Sequence, residues 1–335
     1  VTTIRQVAEK AGVSTATVSR ALSQPDKLSE QTLTKVMAAV DDMRYRPNAL
    51  NRSVAATSSM SVIVMVPDLS NPFFGSILSG IERVATENDY AMLVVNTHDE
   101  KAVEERCIDH LGKRRVDGVI QLGARPGEEL ISDVRRRSLP FIHAIESTLD
   151  TTYPTVTVDN VAAASEIATH LTSLGHREFG IVGGPFESAI TVSRMKGYQK
   201  AIEAVGGDWA KVPRAYGPFT LASGEASAVS ILHQHPEVTA LICMSDELAM
   251  GAIKGAFDLG ISVPEKLSVV GFDNIPASGY FIPTITTVTQ PASKLGSLSM
   301  TMLVATLAKQ NVPRPKTVLH ADLVIRRSTR RLVGV

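Results

Sequence analysis

Near the front of the chain, Ser14, Thr15, Ala16, Thr17 and Arg20 bring together the side chains that read DNA. Hydroxyls at a helix start donate to phosphate oxygens, small methyl-bearing residues lie against thymine methyls, and an arginine fork matches the major-groove edge of guanine. By this chemistry Thr15 and Ala16 are placed for thymine methyls, and Ser14 and Thr17 for phosphates. Arg20 is either a base reader or a phosphate clamp. Catalytic chemistry finds less support. The sequence has no G-x-S-x-G elbow, Walker loop, G-x-G-x-x-G or H-E-x-x-H run, and its eight histidines are scattered. His233 and His235 lie in a polar helix end and read as solvated surface. Gly183, Gly184 and Pro185 read as a tight turn rather than a phosphate cradle. No metal or cofactor set is indicated.

A groove-reading helix must be held at a fixed angle by its neighbours. Thr3 and Gln6 predict a capping box that opens a first helix with Ile4, Val7, Ala8 and Ala11 on one face, and Gly12 stops it. Ser14 caps a second helix carrying Val18, Ala21 and Leu22, and the small Ala8 and Gly12 allow the two to cross closely, as in a helix-turn-helix. Ser29 opens a third, with Leu33, Val36, Met37, Val40 and Met43 on one face. Residues 1–57 carry eight Lys or Arg against five Asp or Glu, although the whole chain is neutral, so the positive excess lies at the front. The stretch 47–58 (PNALNRSVAATS) is a linker, with Pro47 suited to a first helical turn.

From Met60 the pattern changes to apolar runs alternating with helical stretches. MSVIVMVPD, YAMLVVNTH, DGVIQLG and PFIHAIE form one series; TVTVDN, FGIVGGP, ALICMSD and LSVVGFDN restart the rhythm. TITTVTQP, a helix at about 291–309 and a strand at about 317–325 complete it. The expected fold is α/β: a three-helix head over 1–46, a hinge over 47–58, and a two-lobed, doubly wound parallel-sheet domain over 59–335. Lobe 1 takes about 59–158 and 290–319, and lobe 2 about 159–289 and 320–335. Such folds bind ligands at the carboxyl ends of their strands.

At 335 residues, 44% hydrophobic and 20% charged, the composition is that of a globular protein. No apolar run spans a membrane and no secretory leader precedes the first helix, so a cytoplasmic address is expected. Cys107 and Cys243 sit singly in apolar stretches and read as buried, reduced thiols.

The segments TIRQVAEKAGVSTATVSRAL, PNALNRSVA, NPFF and GFDN with TTVTQP resemble the lactose/purine/galactose repressor family over essentially the whole chain. STATVSRAL with PDK, VPD before NPFF, and CMSDELAMGA are most similar to its nucleoside-responsive type. The resemblance implies a homodimeric repressor on double-stranded operator DNA, with a hinge contributing Asn48, Arg52 and a minor-groove wedge at Val54, where relatives carry leucine. It also implies an effector site between the lobes, built from Asn71, Phe73, Phe74, Arg194, Phe219, Ser245, Asp273 and Gln290. Asn71 can donate to and accept from hydroxyls, the phenylalanines can stack or simply pack, and Asp273 accepts from adjacent hydroxyls. Sugar-binding relatives place an acid after the fourth strand where this chain has Ile145, then Glu146. That departure favours a nucleoside, nucleobase or pentose-like effector, with a hexose or sugar phosphate as the alternative. A chain end without a heptad tail favours a dimer over a tetramer. A secreted solute-binding protein would match the large domain alone, and the attached head argues against it.

Overall fold

The structure, a computed structural model, describes residues 2–45, 58–123, 127–146, 153–310 and 316–332. The chain divides into two compact units, residues 1–59 and 60–335.

In the first unit α1 (Ile4–Ala11) opens on the expected capping box: the Thr3 side chain accepts from the Gln6 N–H, and the Thr3 N–H donates to the Gln6 side chain at 2.8 Å. Gly12 ends the helix at φ +65°, a left-handed conformation that glycine adopts without Cβ strain. Ser14 then caps α2 (Thr15–Ser23), and Ser29 caps α3 (Glu30–Asp42). Val7, Ala8, Val18, Ala21, Val36, Ala39, Val40 and Tyr45 fill the space between them, and a Lys10–Asp42 ion pair ties α1 to the end of α3. Met37 departs from the expected core face: it is 39% exposed and Ala39 is buried in its stead. The stripe on α3 runs 36, 39, 40 and 43, and a residue at 37 stands about 100° from 36, outside that arc. So small a core, mostly valine and alanine, makes each buried side chain a large share of the unit's stability.

In the second unit β1 (Ser61–Val66), β2 (Ala91–Asn96), β3 (Gly118–Gly123), β4 (Phe141–Ile145) and β5 (Thr155–Val158) join β11 (Lys316–Leu319) in one sheet. Its order is β11-β5-β4-β3-β1-β2, parallel throughout. β1, β3 and β4 are almost wholly buried, as central strands covered on both faces should be. β5, which restarts the rhythm in sequence, pairs with β4 and belongs to this first sheet. The crossovers here include α4 (Pro72–Glu87), α5 (Lys101–Gly112) and α6 (Glu128–Arg136).

The second sheet, β7-β6-β8-β9, comprises β6 (Phe179–Gly183), β7 (Arg214–Tyr216), β8 (Ala240–Cys243) and β9 (Ser268–Val270), again all parallel. It is flanked by α7 (Asn160–Ser173), α8 (Ala189–Glu203), α9 (Leu221–Gln234) and α10 (Asp246–Asp258). α11 (Ala292–Leu307) returns to the first lobe, packing on α4 so closely that Gly80 and Gly296 each meet the partner helix's backbone. The single strand expected near 317–325 is two: β11 in the first sheet and β12 (Asp322–Val324), which pairs antiparallel with β10 (Thr287–Thr289). The chain changes partners between them, so one ladder cannot run through. Both cysteines are buried, and burial raises both thiol pKa values, which keeps them unreactive.

Candidate functional site

On the head, Thr3, Ser14, Thr15, Ala16 and Arg20 are exposed and Thr17 is half-buried. Ser14 accepts from the Thr17 N–H at 3.1 Å, and the two hydroxyls lie 2.9 Å apart. One hydroxyl proton of the pair remains available at the positive end of α2, where a phosphate is favoured. Arg20 forms no ion pair among the described residues. Asn48, Arg52 and Val54 lie outside the described residues.

In the large unit the expected residues gather at the carboxyl ends of the strands. A cavity of about 280 Å³ there is lined by Phe73, Ser76, Asp273, Asn274, Gln290 and Lys294, among others. That volume falls at the lower end of small-molecule sites. Asn71 caps α4, its Oδ1 accepting from the Phe73 N–H at 2.9 Å, which leaves its amide N–H groups to face a ligand. Phe73 enters the lining, whereas Phe74 packs edge-on against it at 5.6 Å and stays outside the lining. Gln290 donates to Asp273 at 2.6 Å. Asp273 sits at φ +113°, a left-handed conformation rare for a residue with a Cβ.

Arg194 lies beneath the cavity floor rather than in its lining. It is 3% exposed, donates to Asn160 at 2.9 Å and to the Met244 carbonyl, and stacks 3.5 Å over the Phe272 ring. Its Nη2 stands 3.7 Å from Asp273, too long for a hydrogen bond. Burial pushes the Asp273 carboxyl up to about 8, against the pull of Arg194, and burial lowers Arg194 from its ordinary value. Ser245 is buried and spends its hydroxyl capping α10. Phe219 is half-buried and packs over Gly184, where a Cβ would fall about 2.1 Å from the ring. The GGP stretch is therefore a turn shaped for an aromatic ring, with no room for a side chain.

Three features escape a reading of the sequence. Asp246, fully buried, accepts from Thr287 at 2.6 Å and from the Ile275 N–H at 2.8 Å, so it holds the loop that carries Asp273. Burial pushes it up to about 6, with those hydrogen bonds opposing. Its only sequence signal is its place directly after an apolar strand. Asn160, Arg194's partner, stands in the crossover after β5. Ile145 is buried at φ +87°, a conformation costing of order 1–3 kcal/mol for a residue with a side chain. Beyond it Glu146, 3% exposed, accepts from Ser188 at 3.4 Å. The acid that Ile145 displaces is thus supplied one residue later. Among the described residues no group of three metal-ligating side chains occurs, and no helix is long and apolar enough to cross a membrane.

Residues 3–48 match the family described as "Bacterial regulatory proteins, lacI family", and residues 168–329 match a "Periplasmic binding protein-like domain". Over 330 residues the chain is 35% identical to the HTH-type transcriptional repressor CytR of Escherichia coli (strain K12), covering 98% of this chain and 97% of that protein. It is 31% identical to the HTH-type transcriptional repressor PurR of Proteus mirabilis (strain HI4320), over 97% of this chain and 96% of that protein. Among solved structures it resembles the Lac repressor dimer bound to operator and the anti-inducer ONPF, with a TM-score of 0.87, 25% identity, and coverage of 98% and 99%. The chain belongs to the lacI family of bacterial regulatory proteins and is a DNA-binding transcriptional regulator with a small-molecule effector.

Proposed function

We propose that this regulator is a cytoplasmic repressor that binds a palindromic operator as a homodimer, and that a nucleoside, nucleobase or pentose-like sugar in the cleft sets its affinity for DNA. The observation that carries the effector half is the Asp273–Gln290 pair in one small cavity with Phe73. Together they offer an acceptor and a donor for adjacent hydroxyls and a flat apolar face for a ring. On the DNA side Thr15, Ala16 and Arg20 are the base-reading set, Thr3, Ser14 and Thr17 hold phosphates, and Asn48, Arg52 and Val54 form the hinge. A second copy accounts for apolar side chains left in water: Leu93 and Val94 on the edge strand β2, and Phe257, Tyr280 and Ile282, which are 76%, 88% and 89% exposed.

Effector binding shifts the two lobes and, through the hinge, the DNA affinity; such coupling is typically worth ~1–3 kcal/mol and is reciprocal. A second reading, a hexose or sugar-phosphate effector, is favoured by Lys294, which brings a cation to the cavity lining. A thermal-shift panel of pentoses, hexoses, sugar phosphates, nucleosides and bases tests both. A nucleoside, base or pentose raising the melting temperature supports the first reading, and a sugar phosphate or hexose alone supports the second. No shift with any of them at millimolar concentration overturns both.

A further inference from the structure

The cavity accounts for one end of the cleft. At the other end Glu146, at the tip of β4 in the first lobe, meets Ser188, at the start of α8 in the second. Ser188 occupies the N-cap position of α8 yet makes no capping hydrogen bond with its side chain; its hydroxyl is turned across the cleft to Glu146 instead. At 3.4 Å that contact is longer than a well-formed hydroxyl hydrogen bond, so a ligand donor can take its place at little cost. One turn along α8, on the same face, Thr191 is 1% exposed and its hydroxyl has no partner. Two turns along stands Arg194, which reaches toward Asp273. α8 therefore runs as a ruler between the two ends: six residues at ~1.5 Å each separate Ser188 from Arg194 by about 9 Å. A lone five- or six-membered ring does not reach across that span, whereas a sugar joined to a base does.

An ionised carboxylate only accepts hydrogen bonds. It attracts an N–H edge and repels a carbonyl oxygen in the same position, because the repelled acceptor would be left desolvated and unpaired.

We propose that Glu146, assisted by Ser188, is a specificity-determining residue that accepts from the amino group of an effector's base while Asp273 and Gln290 engage its sugar hydroxyls, so that the effector is an amino-bearing nucleoside. This rests on the nucleoside branch of the function proposed above.

Isothermal titration of the full chain with matched pairs tests it: cytidine against uridine, adenosine against inosine, and each sugar or base alone as D-ribose, cytosine and adenine. One amino-bearing nucleoside is expected to bind at least ~10-fold more tightly than its keto counterpart and than either of its parts, as a site built for one hydrogen bond discriminates. Glu146→Gln is expected to reduce that ratio to within about threefold, since its amide tolerates a carbonyl. Ser188→Ala, which leaves the acid in place, is expected to weaken the nucleoside while keeping the preference, and it carries the test should the Glu146 variant not fold. Equal binding within each pair, or an undiminished preference in Glu146→Gln, overturns the role of Glu146 and leaves the effector reading standing. A Ser188→Ala variant that binds as the parent does overturns the part given to Ser188. Ribose or a base binding as tightly as the nucleoside overturns the two-ended site alone. A protein that binds none of the panel contradicts both this assignment and the nucleoside reading.

Discussion

The head and the effector cleft of this regulator are built on opposite principles. In the head every polar contact that shapes the DNA-facing surface is local: Thr3 bonds Gln6, Ser14 bonds Thr17, and Ser29 bonds Thr32. In the cleft the partners come from far along the chain: Arg194 meets Asn160 and Met244, Asp246 meets Ile275 and Thr287, and Glu146 meets Ser188. Local contacts depend on spacing alone, so losing one frays a helix end. Distant contacts exist only in the finished fold, are desolvated by it, and leave several groups unpaired when one is removed.

That contrast predicts unequal responses to mutation. The largest is at Arg194. Replacing it with Met leaves the Asn160 and Met244 acceptors and the buried Asp273 without their cation, and is expected to cost ~3–5 kcal/mol in the large unit, read by urea denaturation. A loss under 1 kcal/mol would mean the network is not buried as described.

Arg20→Ala should leave the stability of both units intact while relaxing operator specificity at one base pair by ~1–3 kcal/mol. Selection from a randomised operator library reads this directly. A uniform loss across all sequences, with a shallower salt dependence, would make Arg20 a phosphate clamp instead.

A pH dependence separates the regions further. Asp273 and Asp246 have native pKa values raised to about 8 and about 6, so the folded large unit binds protons that the unfolded chain has released. Their contribution is fully present near pH 4 and is lost as pH rises, for Asp273 through pH 8. The ligand-free melting temperature of the large unit is therefore expected to fall from pH 5 to pH 8, and Asp273→Asn to flatten that fall. A parent profile that rises with pH over this range would contradict it.

The smallest effect is at Thr3, where Ala removes one half of the capping box and should cost ~1 kcal/mol, confined to the head.

The same contrast explains what was legible in the sequence. Capping residues, the Gly12 stop and the strand–helix rhythm are one-dimensional signals, and the caps and most strands follow them. Where one signal had to decide burial it fell short: Met37 satisfies a helical stripe, yet Ala39 faces the core. The division of the last strand into β11 and β12 depends on which lobe each half pairs with, and Val54 lies outside the described residues. In the cleft, Asp273 and Gln290 were visible through resemblance, but nothing in the spacing places Arg194 under the floor or Asp246 behind its loop. Nor does the substitution of Ile145 reveal that Glu146 turns inward to Ser188, because a positive φ at a β-branched residue is imposed by packing around it.

The central claim is that the cleft and the head form one sensor, and operator affinity measured with and without effector tests it most directly. With the ligand that most raises the melting temperature, at saturating concentration and fixed salt, the dissociation constant of the full chain for its operator is predicted to change by roughly 5- to 150-fold. Operator should change the ligand's affinity by the same factor. A ligand that binds the cleft tightly and leaves operator affinity unchanged would contradict the account.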